Sequence, residues 1–391
     1  MKRIVIVGGG PAGLMAATQL LKSDCEILLL DQKASVGRKF LVAGDGGFNL
    51  THSENNAELV AKYDSDWIKR AVSQFSNKDF IQFLKQIGVE TMVGSSGKIF
   101  PVDHLKPIQV LNAWKQLLEP QVQFLLNTRL MDFEGGQIAV EREGKVQRLD
   151  FDYLVLALGA KSWSVTGSDG AWLELFERKE IRVNPFQASN SGLVLYENWL
   201  GELEGKILKN IRVSCGDQNC SGDLVCTAYG IEGKPAYAIN RALRGMEKPV
   251  FKLDFKPQMS FEKVFEILKK AKNPSQGLKE LKLGEVAVFW IKEFVSKERF
   301  LNPKELASSI KDFAVGIKGF RPIEEVISCA GGVASEEISA CGELNRFPGV
   351  FVAGEMIDWD APTGGYLIQG CVSSGYVAGK SIAKQLTGSK G

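Results

Sequence analysis

Histidine is nearly absent from this chain, which has only His52 and His104 among 391 residues. An imidazole metal cage or a Ser-His-Asp relay therefore has almost no material to draw on, and no metal site is expected. The seven cysteines, at 25, 215, 220, 226, 329, 341 and 371, are odd in number, scattered and without a CxxC pair. That usage fits reduced thiols rather than a disulfide framework or a zinc ribbon. Cys215, Cys220 and Cys226 read as strand positions packing as small hydrophobes. Neither sign of charge dominates: 48 Lys plus Arg face 46 Asp plus Glu, so there is no global polyanion-binding signature. No stretch approaches the roughly 18 uninterrupted apolar residues of a membrane span. The opening run Ile4-Val5-Ile6-Val7 is too short for an export signal and leads straight into glycines. A cytoplasmic protein without membrane contact is the expectation. Its length exceeds one ordinary domain of about 100–200 residues, so two or three units are expected.

What is abundant is glycine, with 41 residues that cluster most notably at 8–13, 44–47, 331–332 and 354–379. The first cluster follows the buried-strand run Lys2–Val7 and opens an apolar helical pattern through Leu21. Strand, GxGxxG and helix in that order form a dinucleotide fingerprint. Gly8 makes the tight turn, Gly10 lets the backbone approach a pyrophosphate, and Gly13 lets helix and strand pack closely. Pro11 and Ala12 complete the turn, and the helix N-terminus offers free N–H groups to phosphate. A second strand, Glu26–Leu30, ends at Asp31, whose carboxylate can accept from the ribose hydroxyls of an adenosine; Gln32 and Lys33 follow it in the expected cofactor site.

The C-terminal half argues for FAD over NAD in that site. Asp152–Leu158 is another strand, closing on Ala157 and Gly159, and Leu130 lies on a run that can flank the nucleotide. Gly349–Ala353 is a strand ending in Gly354-Glu355, where a carboxylate can accept from a ribitol hydroxyl, a group that FAD has and NAD lacks. Gly365, Tyr366 and Leu367 then open a final helix rich in small residues. Its start can place N–H groups against the flavin's pyrimidine edge; alternatively, its small residues serve close helix packing.

Several stretches together resemble one family, the BaiN-like flavoproteins, which include YhiN-like and aminoacetone oxidase-like FAD-binding enzymes. The segment from Gly37-Arg38-Lys39 to Phe48-Asn49-Leu50-Thr51 is similar to the family's GRK(L/I)LxxGxGRCNxTN. Gly97–Pro101 is similar to GRVFP, and Gly222–Gly233 to GExLFTHxGxSGP. Ala330–Val333 and the Gly354–Gly379 tail are similar to AGGV and GE…TGGYNLQ…SGxxAG. The likeness implies that Lys39, Asn49 and Thr51 lie near the flavin, and Arg38 is a further candidate for holding FAD. Departures stand beside the matches: Gly47-Phe48 replaces Arg-Cys, Ala228 replaces the histidine of FTHxG, and Glu232 and Lys234 alter SGP. These mark a divergent subgroup whose substrate does not follow from any one member.

The expected fold is α/β. A Rossmann-like FAD-binding domain of the two-dinucleotide-binding flavoprotein type takes 1–187 and 322–391. The insert divides into a small β-barrel-like subdomain, 188–255, with short strand-like runs between turn residues, and a helical subdomain, 256–321. There apolar residues recur at helical spacing (Phe261, Val264, Phe265, Leu268), with prolines at 257, 274 and 303 as punctuation.

With one GxGxxG there is no second dedicated nucleotide domain, so NADH or NADPH would dock transiently, or the substrate itself would be the reductant. Gly159–Gly170 has glycines without the fingerprint spacing. Candidate catalytic groups are Lys39, Asn49 and Tyr229, of which Lys39 or the Tyr229 hydroxyl could donate a proton or orient a carbonyl. The leading expectation is hydride delivery from NAD(P)H to an activated C=C of a small molecule. The resemblance also implies an oxygen-using amine oxidase or an enzyme that saturates uracil in ribosomal RNA. Residues 247–318 carry fifteen Lys plus Arg against ten Asp plus Glu, a basic insert that could face phosphates or simply be a solvated surface. A flavin kept only as a structural or sensing ligand is the remaining alternative.

Overall fold

The computed structural model describes residues 1–42, 48–102, 105–196 and 202–388. Residues 43–47 of the glycine-rich segment, and His104, lie outside them. The chain divides into two compact units, Met1–Gln187 with Ser328–Gly391, and Ala188–Ile327.

The first unit is built on five parallel strands: β1 (Lys2–Val7), β2 (Cys25–Leu30), β3 (Val122–Leu125), β4 (Tyr153–Leu156) and β5 (Val350–Val352). Their order is β5-β4-β1-β2-β3, so the chain reverses its winding direction beside β1. Each strand is a short apolar run, as a sheet covered on both faces requires, and Ile4, Val5, Ile6, Leu29 and Leu30 have no solvent exposure. Register puts Val7 opposite Leu30 on one side and Leu156 on the other, with Leu156 opposite Val352. Four strands therefore end level, and their next residues, Gly8, Asp31, Ala157 and Ala353, emerge along one edge. Carboxyl ends at a winding reversal are where open α/β sheets bind ligands.

Helix α1 (Pro11–Leu20) leaves that edge with proline in its first turn. The final helix, α2 (Tyr366–Gly388), lies against it. A Cβ on Gly375 would stand 2.1 Å from the Ala12 carbonyl oxygen, and one on Gly379 2.5 Å from that of Ala16. Those two glycines of the last cluster are thus consumed by contact between helices. Among the described residues no helix is long and apolar enough to cross a membrane.

The second unit departs from the expected division of the insert. Six strands close a barrel in the order Leu193–Leu195, Gly230–Glu232, Gln218–Thr227, Ile207–Cys215, Val250–Asp254, Phe313–Phe320. The last lies inside 256–321, the stretch expected to be helical. Its alternation of buried Phe313, Val315 and Ile317 with more exposed neighbours is the period-two signal of a strand, short enough to be overshadowed by the helices before it. Those helices run from Phe261–Lys270 to Pro303–Lys311, and Pro274 and Pro303 each occupy a helix start. Barrel residues Val213 and Phe251 share one hydrophobic core with helical Val264 and Trp290, so barrel and helices form a single packed unit. The second unit also keeps residues 322–327, which were expected in the FAD-binding domain, and the return to the first unit comes at Ser328.

Candidate functional site

The level strand ends open onto a cleft of the first unit with a volume of about 240 Å³. Its floor is the glycine turn, in which the glycines do different work. Gly8, at φ +108°, would place a Cβ 2.1 Å from the Ala157 carbonyl oxygen, and Gly13 would place one 1.9 Å from that of Gly8. Both positions exclude any side chain. A Cβ on Gly10 would meet nothing within 4 Å, yet Gly10 lines the cleft and caps α1. Its missing side chain leaves a cradle open at the helix N-terminus, the place where a pyrophosphate reaches backbone N–H groups. Pro11 and Ala12 line the same wall.

Asp31 stands at the adjoining end. Its Oδ2 accepts from Gly9 N–H at 3.0 Å and its Oδ1 from Lys33 N–H at 2.8 Å. Burial raises its pKa above the usual carboxylate value, against the lowering effect of those backbone donors. Each oxygen keeps a further lone pair for a ribose hydroxyl. Gln32 donates to the Gly167 carbonyl at 2.6 Å and to Asp169 at 3.2 Å, fixing the opposite wall. Leu130, Ala157 and Gly159 line the cleft between.

At the far end Lys39 and Glu355 meet. The Lys39 ammonium donates to Glu355 Oε2 and to the fully buried Ser162 hydroxyl, both at 2.8 Å. The ion pair is mostly shielded, with side-chain exposures of 26% and 14%. Arg38, Gly354 and Glu355 line the cleft with Lys39. Cys371 lies beside them with its thiol pushed up by burial, which keeps it protonated and unreactive.

Other residues expected here sit elsewhere in the first unit. Gly365, at φ +99°, is pressed against the Thr51 backbone. Tyr366 is buried, stacked 5.3 Å from the His52 ring, with its hydroxyl donating to Glu54 at 2.8 Å. Leu367 packs against the hydrophobic core. Thr51 is fully buried and donates to Gln369 at 2.7 Å. Lys33, Gly13 and Asn49 do not line the cleft. Phe48, which stands where the resembling family has cysteine, is buried edge-on against Phe40, so that departure is a packing change. Tyr229 belongs to the second unit. Its hydroxyl donates to Glu232 beneath the Arg321 guanidinium, and burial followed by the Glu232 carboxylate raises its pKa. Sequence reasoning missed Ser162 and the wall formed by Thr166, Gly167, Ser168 and Asp169. Their segment carries the signal Thr-Gly-Ser-Asp-Gly, a turn of small and polar residues that glycine spacing alone does not single out.

An open backbone cradle, a carboxylate just past β2 and a second carboxylate at the far end form a donor and acceptor set that fits FAD. Comparison with known proteins agrees. The family model described as HI0933-like protein Rossmann domain matches residues 2–381. A 3-dehydro-bile acid delta(4,6)-reductase of Clostridium scindens is 25% identical over 98% of this chain and 100% of its own length. A ribosomal RNA dihydrouridine synthase of Haemophilus influenzae is 25% identical over 97% of this chain and 98% of its own. In fold, the chain is similar to the 3-ketosteroid-delta4-(5alpha)-dehydrogenase of Rhodococcus jostii RHA1, with a TM-score of 0.52 at 13% identity over 98% of this chain and 97% of that one.

Proposed function

The chain belongs to the HI0933-like Rossmann family of FAD-dependent oxidoreductases, and from that premise we propose that it saturates a C=C bond conjugated to a carbonyl in a small molecule, with NADH or NADPH as reductant. The observation that carries the reading is that two full-length relatives, named for different substrates, both carry names denoting saturation of a ring double bond. Hydride transfer is the chemistry bound FAD supplies, since no side chain can.

The chain's own residues bind, orient and protonate. The Gly8–Gly13 turn and the α1 N-terminus would hold the pyrophosphate, Asp31 the ribose, and Glu355 a ribitol hydroxyl. Saturating a conjugated C=C also requires a proton at the carbon next to the carbonyl. Lys39 Nζ and Tyr229 Oη are the candidate donors, with Asn49 as a candidate for orienting the carbonyl. Tyr229 keeps its proton through neutral pH, because burial and the Glu232 carboxylate oppose the phenolate. Tyr229→Phe should therefore lower kcat by about 100-fold if it is the donor, with an unchanged thermal melt as the control; unaltered kcat assigns the proton to another group.

Three lysines of the second unit are held by acidic neighbours rather than left free for phosphates. Lys206 pairs with Glu285 at 2.7 Å, Lys252 with Asp312 at 2.8 Å and Lys311 with Asp254 at 2.7 Å. Anaerobic titration tests the whole reading. NADH or NADPH should bleach the flavin, and a conjugated enone should restore its colour. Bleaching by a primary amine but by neither nicotinamide would replace it with the oxidase reading. Loss of dihydrouridine from ribosomal RNA in a deletion strain would replace the small acceptor with RNA.

A further inference from the structure

A lysine ammonium has three N–H donors, and the first unit uses two of those on Lys39. One goes to Glu355 Oε2 and one to the Ser162 hydroxyl, both at 2.8 Å. Among the described residues no acceptor takes the third. Lys39 and Glu355 line the cleft, whereas Ser162 has no solvent exposure. With two acceptors fixed, the tetrahedral nitrogen has one direction left, and the cleft is the open space that Lys39 faces. Ser162 is itself set to accept. Its hydroxyl lies against the buried Cys329 thiol, whose pKa is raised by burial while the Lys161 N–H, the Lys39 ammonium and the Ser162 hydroxyl lower it. The hydroxyl proton thus has the sulfur to turn to, and the oxygen's lone pairs are left for Lys39.

A fully buried hydroxyl is costly unless it is bonded, and alanine would fill the same place without that cost. We propose that Ser162 is a positioning residue: it aims the third Lys39 N–H at the ring system of bound FAD, where a fixed cationic donor favours the reduced, negatively charged flavin over the oxidised one. With its pyrophosphate on the glycine turn and its adenosine toward Asp31, FAD has its flavin half at the Lys39–Glu355 end of the cleft. Hydrogen bonds and charge placed at the ring are a protein's means of tuning a flavin, and a donor on an ionised nitrogen is the stronger kind. Glu355 cancels most of the lysine's charge at a distance, so the remaining effect is short in range and directional. That is why the aim matters. The inference rests on the cleft as the FAD site and is independent of the acceptor reduced there.

The test is the midpoint potential of the bound flavin, measured anaerobically against a reference dye with no acceptor present, beside the dissociation constant for oxidised FAD. Lys39→Met should weaken reduced relative to oxidised flavin about tenfold, which lowers the potential by about 30 mV. Ser162→Ala, which keeps the Lys39–Glu355 pair, should lose about threefold, or about 14 mV, while binding oxidised FAD within about threefold of wild type. Ser162→Thr, which keeps the hydroxyl, should return the wild-type potential, with thermal melts of all variants as the control for folding. An unchanged potential in Ser162→Ala overturns the positioning role, even where Lys39→Met shifts it. Unchanged potentials in both, together with weakened FAD in Glu355→Gln, overturn the donor at the ring and leave the cleft as the FAD site. If Lys39→Met, Ser162→Ala and Glu355→Gln alter neither potential nor affinity, FAD does not lie in this cleft, and the proposed reading of the site falls with the inference.

Discussion

Gly10→Leu should abolish flavin retention while leaving the apoprotein's thermal melt in place, and Gly13→Val, three positions on, should destroy the fold itself. The contrast follows from what each missing side chain faces. At Gly13 a Cβ would lie 1.9 Å from the Gly8 carbonyl oxygen, a backbone atom that cannot move without dragging the β1–α1 turn off the sheet. At Gly10 it would meet nothing within 4 Å, because that direction is the cleft. A leucine there costs the empty fold little, but it stands where, on the proposed reading, a pyrophosphate would touch the N–H groups of α1. The FAD dissociation constant should rise on the order of 100-fold or more, equivalent to about 3 kcal/mol. The visible absorbance ratio of purified protein, with a circular dichroism melt on the same sample, reads both effects. Full flavin occupancy in Gly10→Leu would remove the pyrophosphate from this turn.

That distinction was legible in the sequence only as a spacing. GxGxxG states that three glycines are needed but not what each avoids, since the obstacle at Gly8 is a carbonyl of Ala157 on another strand. Asp31 was readable for the same local reason that strands were: an apolar run ends and a carboxylate follows. Phe313–Phe320 was not, because its pairing partners are distant strands and its own alternation is brief beside five helices. The small residues of the last helix admitted two readings. Gly375 and Gly379 took the packing one against α1, while Gly354 lines the cleft. Ser162 shows the general limit. Its role depends on a lysine 123 positions earlier and a glutamate in the turn after β5, and no local pattern encodes that meeting.

The same meeting supports the second large effect. Glu355→Gln should lose FAD affinity by about tenfold or more, whereas Lys39→Met should chiefly cost fold stability. Lys39 comes from the short helix Arg38–Val42 and Glu355 from the turn after β5, so the pair ties the N-terminal and C-terminal walls of one cleft. Removing one partner leaves the other charge in a largely shielded place, an outcome costlier than losing both. In the apoprotein each single variant should therefore lose stability, and Lys39→Met with Glu355→Gln together should lose less than the sum, by about 1–2 kcal/mol in a urea-denaturation cycle. Flavin affinity should not follow that compensation. If Glu355 accepts a ribitol hydroxyl, the double variant binds FAD no better than Glu355→Gln alone, because restoring charge balance does not restore the charged acceptor, and an amide oxygen accepts more weakly than a carboxylate. Lys39→Met should retain more flavin than either. Should Glu355→Gln purify with full flavin, or should the double variant recover it, the carboxylate's task is to hold Lys39 and the ribitol contact belongs to another group.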